Sequence, residues 1–247
     1  MSMPNRILIT GGTKGIGRAA AEALLASPQT EAVWLTYATD AVSAECCRAE
    51  LQSAHPGKEV SVFALDVTDP DAPKQVVDRI VATGKCPTAV LYNANITYRE
   101  EFGAYDPAKW AATFAGNVHF PVFLTQMLAP MMPRGGVFVF TGSMMAVQPH
   151  GTSLAYGVTK SAVHALVRNL VKHLEPYQHR TVGIAPGFVD TEWQKNKPAE
   201  IRQSIEKKVA LHRFATPDEV GELFRLAVEN TYLNGDIITI SGGYCYQ

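Results

Sequence analysis

The chain has 247 residues, 47% of them hydrophobic and 18% charged, enough apolar material for a large α/β core. Lys and Arg number 22 against 23 Asp and Glu, a net charge of -1, so nothing marks a nucleic-acid or anionic-membrane partner and a small-molecule partner is expected. The four cysteines (Cys46, Cys47, Cys86, Cys245) form neither a secreted disulfide framework nor a paired metal-ligand spacing, which predicts a reducing cytoplasm.

In chain order, short β-rich runs are predicted at Arg6–Thr10, Ala32–Tyr37, Glu59–Leu65, Thr88–Asn93, Gly136–Thr141, Thr181–Ile184 and Asp236–Ser241. Helical patterns open near Gly15, Ala41, Asp71, Pro107, Ala155 and Pro217. The alternation predicts a single α/β domain, doubly wound and Rossmann-type, with a mostly parallel seven-stranded sheet and helices on both faces. From 188 to 214 the rhythm breaks. Trp193 and a charged run (Lys195, Lys197, Glu200, Arg202) replace any strand pattern, which reads either as an inserted lid or as a solvated pair of surface helices. The opening MSMPNRILIT lacks the long apolar stretch of a secretory leader, and no segment approaches the roughly 18 apolar residues of a membrane span.

The first strand runs into TGGTKGIG, with Gly11, Gly15 and Gly17 at the turn into an Ala-rich helix. Such a turn lets backbone approach a pyrophosphate, with free N–H groups and the positive helix end beyond it. A glycine pattern by itself is equally a structural turn. The spacing here is G-x-x-x-G-x-G, and with it the sequence resembles the short-chain dehydrogenase/reductase family, its 3-oxoacyl-thioester (acyl carrier protein) reductases in particular. The resemblance extends along the chain: Asp66 in LDV, YNAN at Tyr92–Asn95 where the family has NNAG, Asn117 in GNVHF, Ser143 in TGS, Tyr156 and Lys160 in YGVTK, and PGFVDT at Pro186–Thr191. Two positions depart from NNAG, Tyr92 and Asn95. Asn tolerates left-handed backbone, so Asn95 is expected to keep a positive φ.

Tyr156 and Lys160 lie four apart at a helix start, so their side chains rise from one face and can both reach a nicotinamide ribose. Alone, a Tyr-x-x-x-Lys is a surface amphipathic pair. Beside Ser143 and the glycine turn it reads as a catalytic pair, Tyr156 being the acid/base and the Lys160 ammonium the charge that stabilises its phenolate. Ser143 is expected to hydrogen-bond the substrate oxygen. The resemblance implies that Asn117 holds a water linked to the lysine. It also implies that the cofactor contacts Gly11, Thr13, Lys14, Gly15, Ile16, Gly17, Tyr37, Ala38, Asp66, Val67, Asn93, Ala94, Tyr156, Lys160, Pro186, Gly187, Val189 and Thr191.

An NAD-selecting protein places an acid at the end of strand two; this chain has Tyr37 there, followed by Ala38, Thr39 and Asp40. With Lys14 in the glycine turn, NADP is favoured over NAD. Met144, Met145 and Gln148, following Ser143, are expected to wall the substrate pocket. The seven histidines form no ligand cluster, and no metal is expected. Gly151 to Ala155 resembles a nucleophile elbow, but a Pro-containing loop precedes Ser153 where a strand is required, which disfavours a hydrolase. A non-catalytic nucleotide sensor is the rival from another class, and the complete Asn117, Ser143, Tyr156, Lys160 set argues against it. By resemblance the substrate is a 3-oxoacyl thioester, with a hydroxysteroid or other small ketone or alcohol as alternative, and the assembly is a homotetramer.

Overall fold

The computed structural model describes residues 3–148, 153–195 and 197–244. Each expected strand is present within a residue or two: β1 (Asn5–Thr10), β2 (Thr30–Tyr37), β3 (Glu59–Ala64), β4 (Ala89–Tyr92), β5 (Val137–Thr141), β6 (Arg180–Pro186) and β7 (Ile237–Ile240). They form one seven-stranded sheet in the order β3-β2-β1-β4-β5-β6-β7, with every pairing parallel. The central strands β4 (AVLY) and β5 (VFVFT) are buried at every residue, because helices cover both faces and leave no polar side to alternate with.

The period of two divides the core. Ile7 and Ile9 pack on one face with Leu24, Leu25 and Phe224, while Leu8 points to the other with Trp34, Phe138, Leu124 and Val167. The first layer is supplied by α1 (Gly15–Leu25) and α9 (Pro217–Glu229); α9 starts on a capping box between Thr216 and Glu219. The remaining helices are α2 (Ala41–Ala54), α3 (Ala72–Thr83), α4 (Pro107–Phe114), α5 (Phe120–Leu128), α6 (Leu154–Leu174), α7 (Glu192–Lys195) and α8 (Ala199–Lys208). A five-residue π-helical turn, Ala115–His119, joins α4 to α5 where the sequence predicts one continuous helix.

The chain runs β1, β2, β3 toward one edge and then crosses to β4 on the other side of β1. This reversal opens a crevice where the loops after β1 and β4 diverge. The register pairs Thr10 with Tyr92, so the glycine turn and the loop from Asn93 leave the sheet side by side. Segment 188–214 carries the short helices α7 and α8 and is clamped at its ends, where Asp190 N–H donates to Ala215 O (2.8 Å) and Ala215 N–H to Phe188 O (2.9 Å). Among the described residues, no helix is long and apolar enough to cross a membrane, and no three potential metal ligands cluster. Cys46, Cys47 and Cys86 are free thiols; Cys245 and Gly151 lie outside the described residues.

Candidate active site

Gly11 and Gly15 adopt positive φ (+62° and +51°), which turns the chain sharply between β1 and α1. At Gly17 the constraint is space: a Cβ there would stand 2.4 Å from Gly11 O and 2.6 Å from Asn93 Nδ2. Asn93 closes this corner by donating from Nδ2 to Gly11 O (2.9 Å), and its N–H donates to Thr10 Oγ1 (3.0 Å). Helix α1 starts at Lys14 without a side-chain cap, which leaves its first-turn N–H groups available to an anion.

These elements wall a cleft of about 490 Å³. Of the expected cofactor contacts, Gly11, Thr13, Lys14, Gly15, Ile16, Tyr37, Ala38, Asp66, Val67, Asn93, Ala94, Tyr156, Pro186, Gly187, Val189 and Thr191 line it. Its length from Tyr37 and Asp66 to Tyr156, and the close backbone approach at Gly11 and Gly15, fit a dinucleotide. Two expected contacts do not line it. Gly17 is packed under the turn, so its part is to let Gly11 and Asn93 come together. Lys160 is 1% exposed, and its ammonium donates to Thr141 O (2.6 Å) and to Asn95 Oδ1.

A second cavity, of about 100 Å³, continues from the first. Ser143, Tyr156, Pro186, Gly187, Trp193 and Gln194 line both. Ser143 follows β5 and caps a 3-10 turn, its Oγ accepting from Met145 N–H (3.1 Å), and its hydroxyl opposes the upward push of burial on the Tyr156 phenol. Met144, Met145 and Gln148 line the small cavity as their position predicts. Among the described residues, β5 ends at Thr141 and is followed by the 3-10 turn Met144–Ala146, and no strand precedes Ser153 there; residues 149–152 lie outside the described residues.

Two expectations are corrected. Among the described residues, Asn95 is not a positive-φ position. Its amide acts instead, accepting from Lys160 and donating to Asn93 O, a role for which glycine has no atoms. The other departure, Tyr92, points into the core, where its hydroxyl meets Thr125 Oγ1 (2.7 Å) and its ring lies 4.8 Å from Phe140, so it leaves the cleft floor unaltered. The Tyr156 phenol is pushed up to about 12 by burial, against the smaller opposing influences of the Ser143 hydroxyl and the Arg99 charge. Lys160, lowered by burial to about 7, holds its ammonium 5.3 Å from the Tyr156 ring centre and directs its hydrogen bonds elsewhere.

Asn117, expected to hold a water, spends both amide hydrogens on Ile96 O (2.8 Å) and Thr159 Oγ1 (3.0 Å), while its Oδ1 accepts from Ile96 N–H (2.8 Å). It thereby ties the loop after β4 to α6. Sequence reasoning missed His164, two helical turns beyond Tyr156 on the same face of α6. Its Nε2 accepts from Ser143 N–H (3.3 Å), and burial lowers it to about 4, which keeps the ring neutral and able to accept. The spacing Tyr156, Lys160, His164 was the available signal.

A parallel sheet of this order, with its crevice at the β1–β4 switch, places the chain in the Rossmann-type nucleotide-binding class. The family profile described as "Enoyl-(Acyl carrier protein) reductase" matches residues 11–245, and the chain belongs to the short-chain dehydrogenase/reductase family of NAD(P)-using oxidoreductases. It is 30% identical to a 3-oxoacyl-[acyl-carrier-protein] reductase of Thermotoga maritima, with 96% of each chain covered. It is 29% identical to an L-rhamnose 1-dehydrogenase (NAD(P)(+)) of a Sphingomonas species, over 96% of this chain and 94% of that one. A short-chain dehydrogenase of Burkholderia cenocepacia, solved in complex with NADP, superposes with a TM-score of 0.89 at 26% identity, covering 98% of this chain and 99% of that one.

Proposed function

We propose that this chain is an NADP-dependent carbonyl reductase or alcohol dehydrogenase in which Tyr156 is the acid/base, with a 3-oxoacyl thioester as its leading substrate. The observation that carries this is the meeting of Ser143 and Tyr156 at the seam of a dinucleotide-shaped cleft and a small cavity, both of which the two residues line. A carbonyl bound there touches both hydroxyls. When bound, a reduced nicotinamide supplies the hydride for the carbonyl carbon. Tyr156 then delivers its proton to the developing alkoxide, a task for which a phenol still protonated at neutral pH is ready. Ser143 donates to the same oxygen, its direction set by the Met145 N–H it already accepts. Lys160 and Asn95 fix the floor beneath, and Asn117 ties the loop that carries Asn95 to the helix that carries Lys160.

The thioester reading is supported by the Thermotoga relative, and NADP by the Burkholderia structure together with Lys14 and the absence of an acid at Tyr37 and Ala38. The chain acts as one domain, with 188–214 as its lid, a reading supported by Trp193 and Gln194 of that segment, which line both cavities. Exposed Phe123 on α5 and Leu154 and Val158 on α6 support a homotetramer. The free thiols suit a reducing cytoplasm.

The test follows NADPH oxidation by the purified protein with 3-oxoacyl thioesters and small ketones. Tyr156→Phe, which leaves the ring in place, is expected to lower kcat/KM by about 10²- to 10⁴-fold. Turnover unchanged in that variant removes Tyr156 from the chemistry.

A further inference from the structure

The small cavity beyond Ser143 and Tyr156 has apolar walls of Met144, Met145, Phe188 and Trp193, and two cations at its rim, Arg99 and Lys197. Several surface cations are answered by acids, among them Arg18 by Glu50 (2.6 Å), Arg202 by Asp190 (3.0 Å), Arg213 by Glu219 (2.6 Å) and Lys195 by Glu192. Among the described residues, no ion pair engages Arg99 or Lys197, and none of those lining the cavity is acidic. Neither cation lines the larger cleft, so the phosphates of a dinucleotide do not account for them.

Arg99 alone would be an ordinary solvated charge. Its convergence with Lys197 on one cavity is the unusual feature. Lys197 is half-buried over the Phe188 ring (6.0 Å), and burial first, then the charges of Arg99 and Arg202, lower its pKa. The Arg99 charge is also felt at Tyr156. Two like charges held beside an apolar cavity repel each other and lose hydration, a cost that a bound anion offsets through charge-assisted hydrogen bonds.

We propose that the natural substrate carries an anionic group, a carboxylate or a phosphate, which Arg99 and Lys197 bind while its carbonyl lies against Ser143 and Tyr156. The proposal rests on the oxidoreductase reading and narrows it, because a neutral ketone or a plain acyl chain leaves both cations unanswered. Both residues flank the catalytic seam from different segments, Arg99 from the loop after β4 and Lys197 from the proposed lid, so an anion bridging them would also draw the lid inward.

The experiment compares two matched pairs with NADPH: acetoacetate against methyl acetoacetate, and dihydroxyacetone phosphate against dihydroxyacetone. The quantity read is the ratio of kcat/KM, anionic over neutral, in which any change in Tyr156 itself cancels. The wild-type ratio is expected to exceed about tenfold for at least one pair, the value of one hydrogen-bonded charge contact, and the responding pair tells carboxylate from phosphate. The ratio should fall toward unity in Arg99→Gln/Lys197→Gln and recover in Arg99→Lys/Lys197→Arg. A wild-type ratio near one, or a preference that persists in the double glutamine variant, overturns the proposal. Saturation-transfer NMR of the same four compounds on the NADP-loaded protein reads the site without turnover. Anion-selective binding lost in the glutamine variant supports the site even if the oxidoreductase reading fails, and binding without selectivity overturns it.

Discussion

The turn from β1 into α1 and the loop from β5 into α6 are both strand-to-helix connections at the carboxyl ends of the parallel strands, yet they are built in opposite ways. The first is a backbone construction: positive φ at Gly11 and Gly15, and no room for a Cβ at Gly17. The second is a side-chain construction, in which Ser143 is oriented by Met145 and His164 and lines the same two cavities as Tyr156. A site made of backbone excludes side chains and so binds what every dinucleotide has in common; a site made of side chains selects. Damage to the two should therefore differ in kind. The first should lose fold and cofactor together, and the second should lose rate while the fold persists.

The largest effect of this kind is expected at Gly17. Ala there would set a methyl 2.4 Å from Gly11 O, and the obstacle is backbone that cannot swing aside. Gly17→Ala should cost about 2–4 kcal/mol of stability and remove measurable NADP binding. Thermal melts with and without NADP check this. A variant that melts normally and still gains stability from NADP would mean that the turn is not the rigid frame described here.

A smaller effect, and one on rate, is expected at His164. His164→Ala leaves the buried Ser143 N–H without its acceptor, at about 1–3 kcal/mol, and should lower kcat more than it raises KM; His164→Gln can still accept and should recover part of the loss. The pH dependence separates this from simple packing. His164 titrates near 4 when folded against an ordinary 6.5, so between those values the unfolded chain binds the extra proton. This group's contribution to stability is therefore lost as pH falls from about 6.5 to 4. Denaturant midpoints measured across that window should show this part of the slope absent in His164→Gln. An unchanged slope would place the ring's titration elsewhere.

The same contrast explains what could be read in advance. Strands, their order of appearance and the glycine turn were legible because period and backbone constraint leave marks on neighbouring residues: Ile7 and Ile9 face one core layer and Leu8 the other, and Gly11, Gly15 and Gly17 stand within seven positions. Ser143, Tyr156 and Lys160 were legible as a pattern, but their state was not. Nothing near Lys160 in sequence announces that Asn95, 65 residues earlier, would take its ammonium, or that burial would raise the phenol and lower the amine. Asn117 was found while its partners, Ile96 and Thr159, were not, because Ile96 is brought to it by the crossover from β4 and Thr159 by the helix that follows β5. Arg99 and Lys197 come from loops without period, and only the folded cavity unites them.

The smallest expected effect lies at the far end of the cleft, where the backbone site borrows one pair of side chains. Lys14, the basic residue on which the proposed NADP preference leans, is paired with Asp40, whose carboxyl this contact and its bonds from Ser43 hold well below the usual carboxylate range. Both side chains are about half exposed, so the pair adds little to stability, but it matters to a ligand. A 2′-phosphate must draw Lys14 away from Asp40 and then lie near a negative charge. Asp40→Asn keeps an oxygen for the Ser43 N–H that caps α2 and removes only the charge. It should tighten NADP by about two- to fivefold and leave NAD unchanged, while Lys14→Ala should weaken NADP by a similar factor. Fluorescence titration of both dinucleotides against both variants decides the matter. Weaker NADP binding in Asp40→Asn would mean that the carboxylate positions Lys14 for the phosphate and does not compete with it.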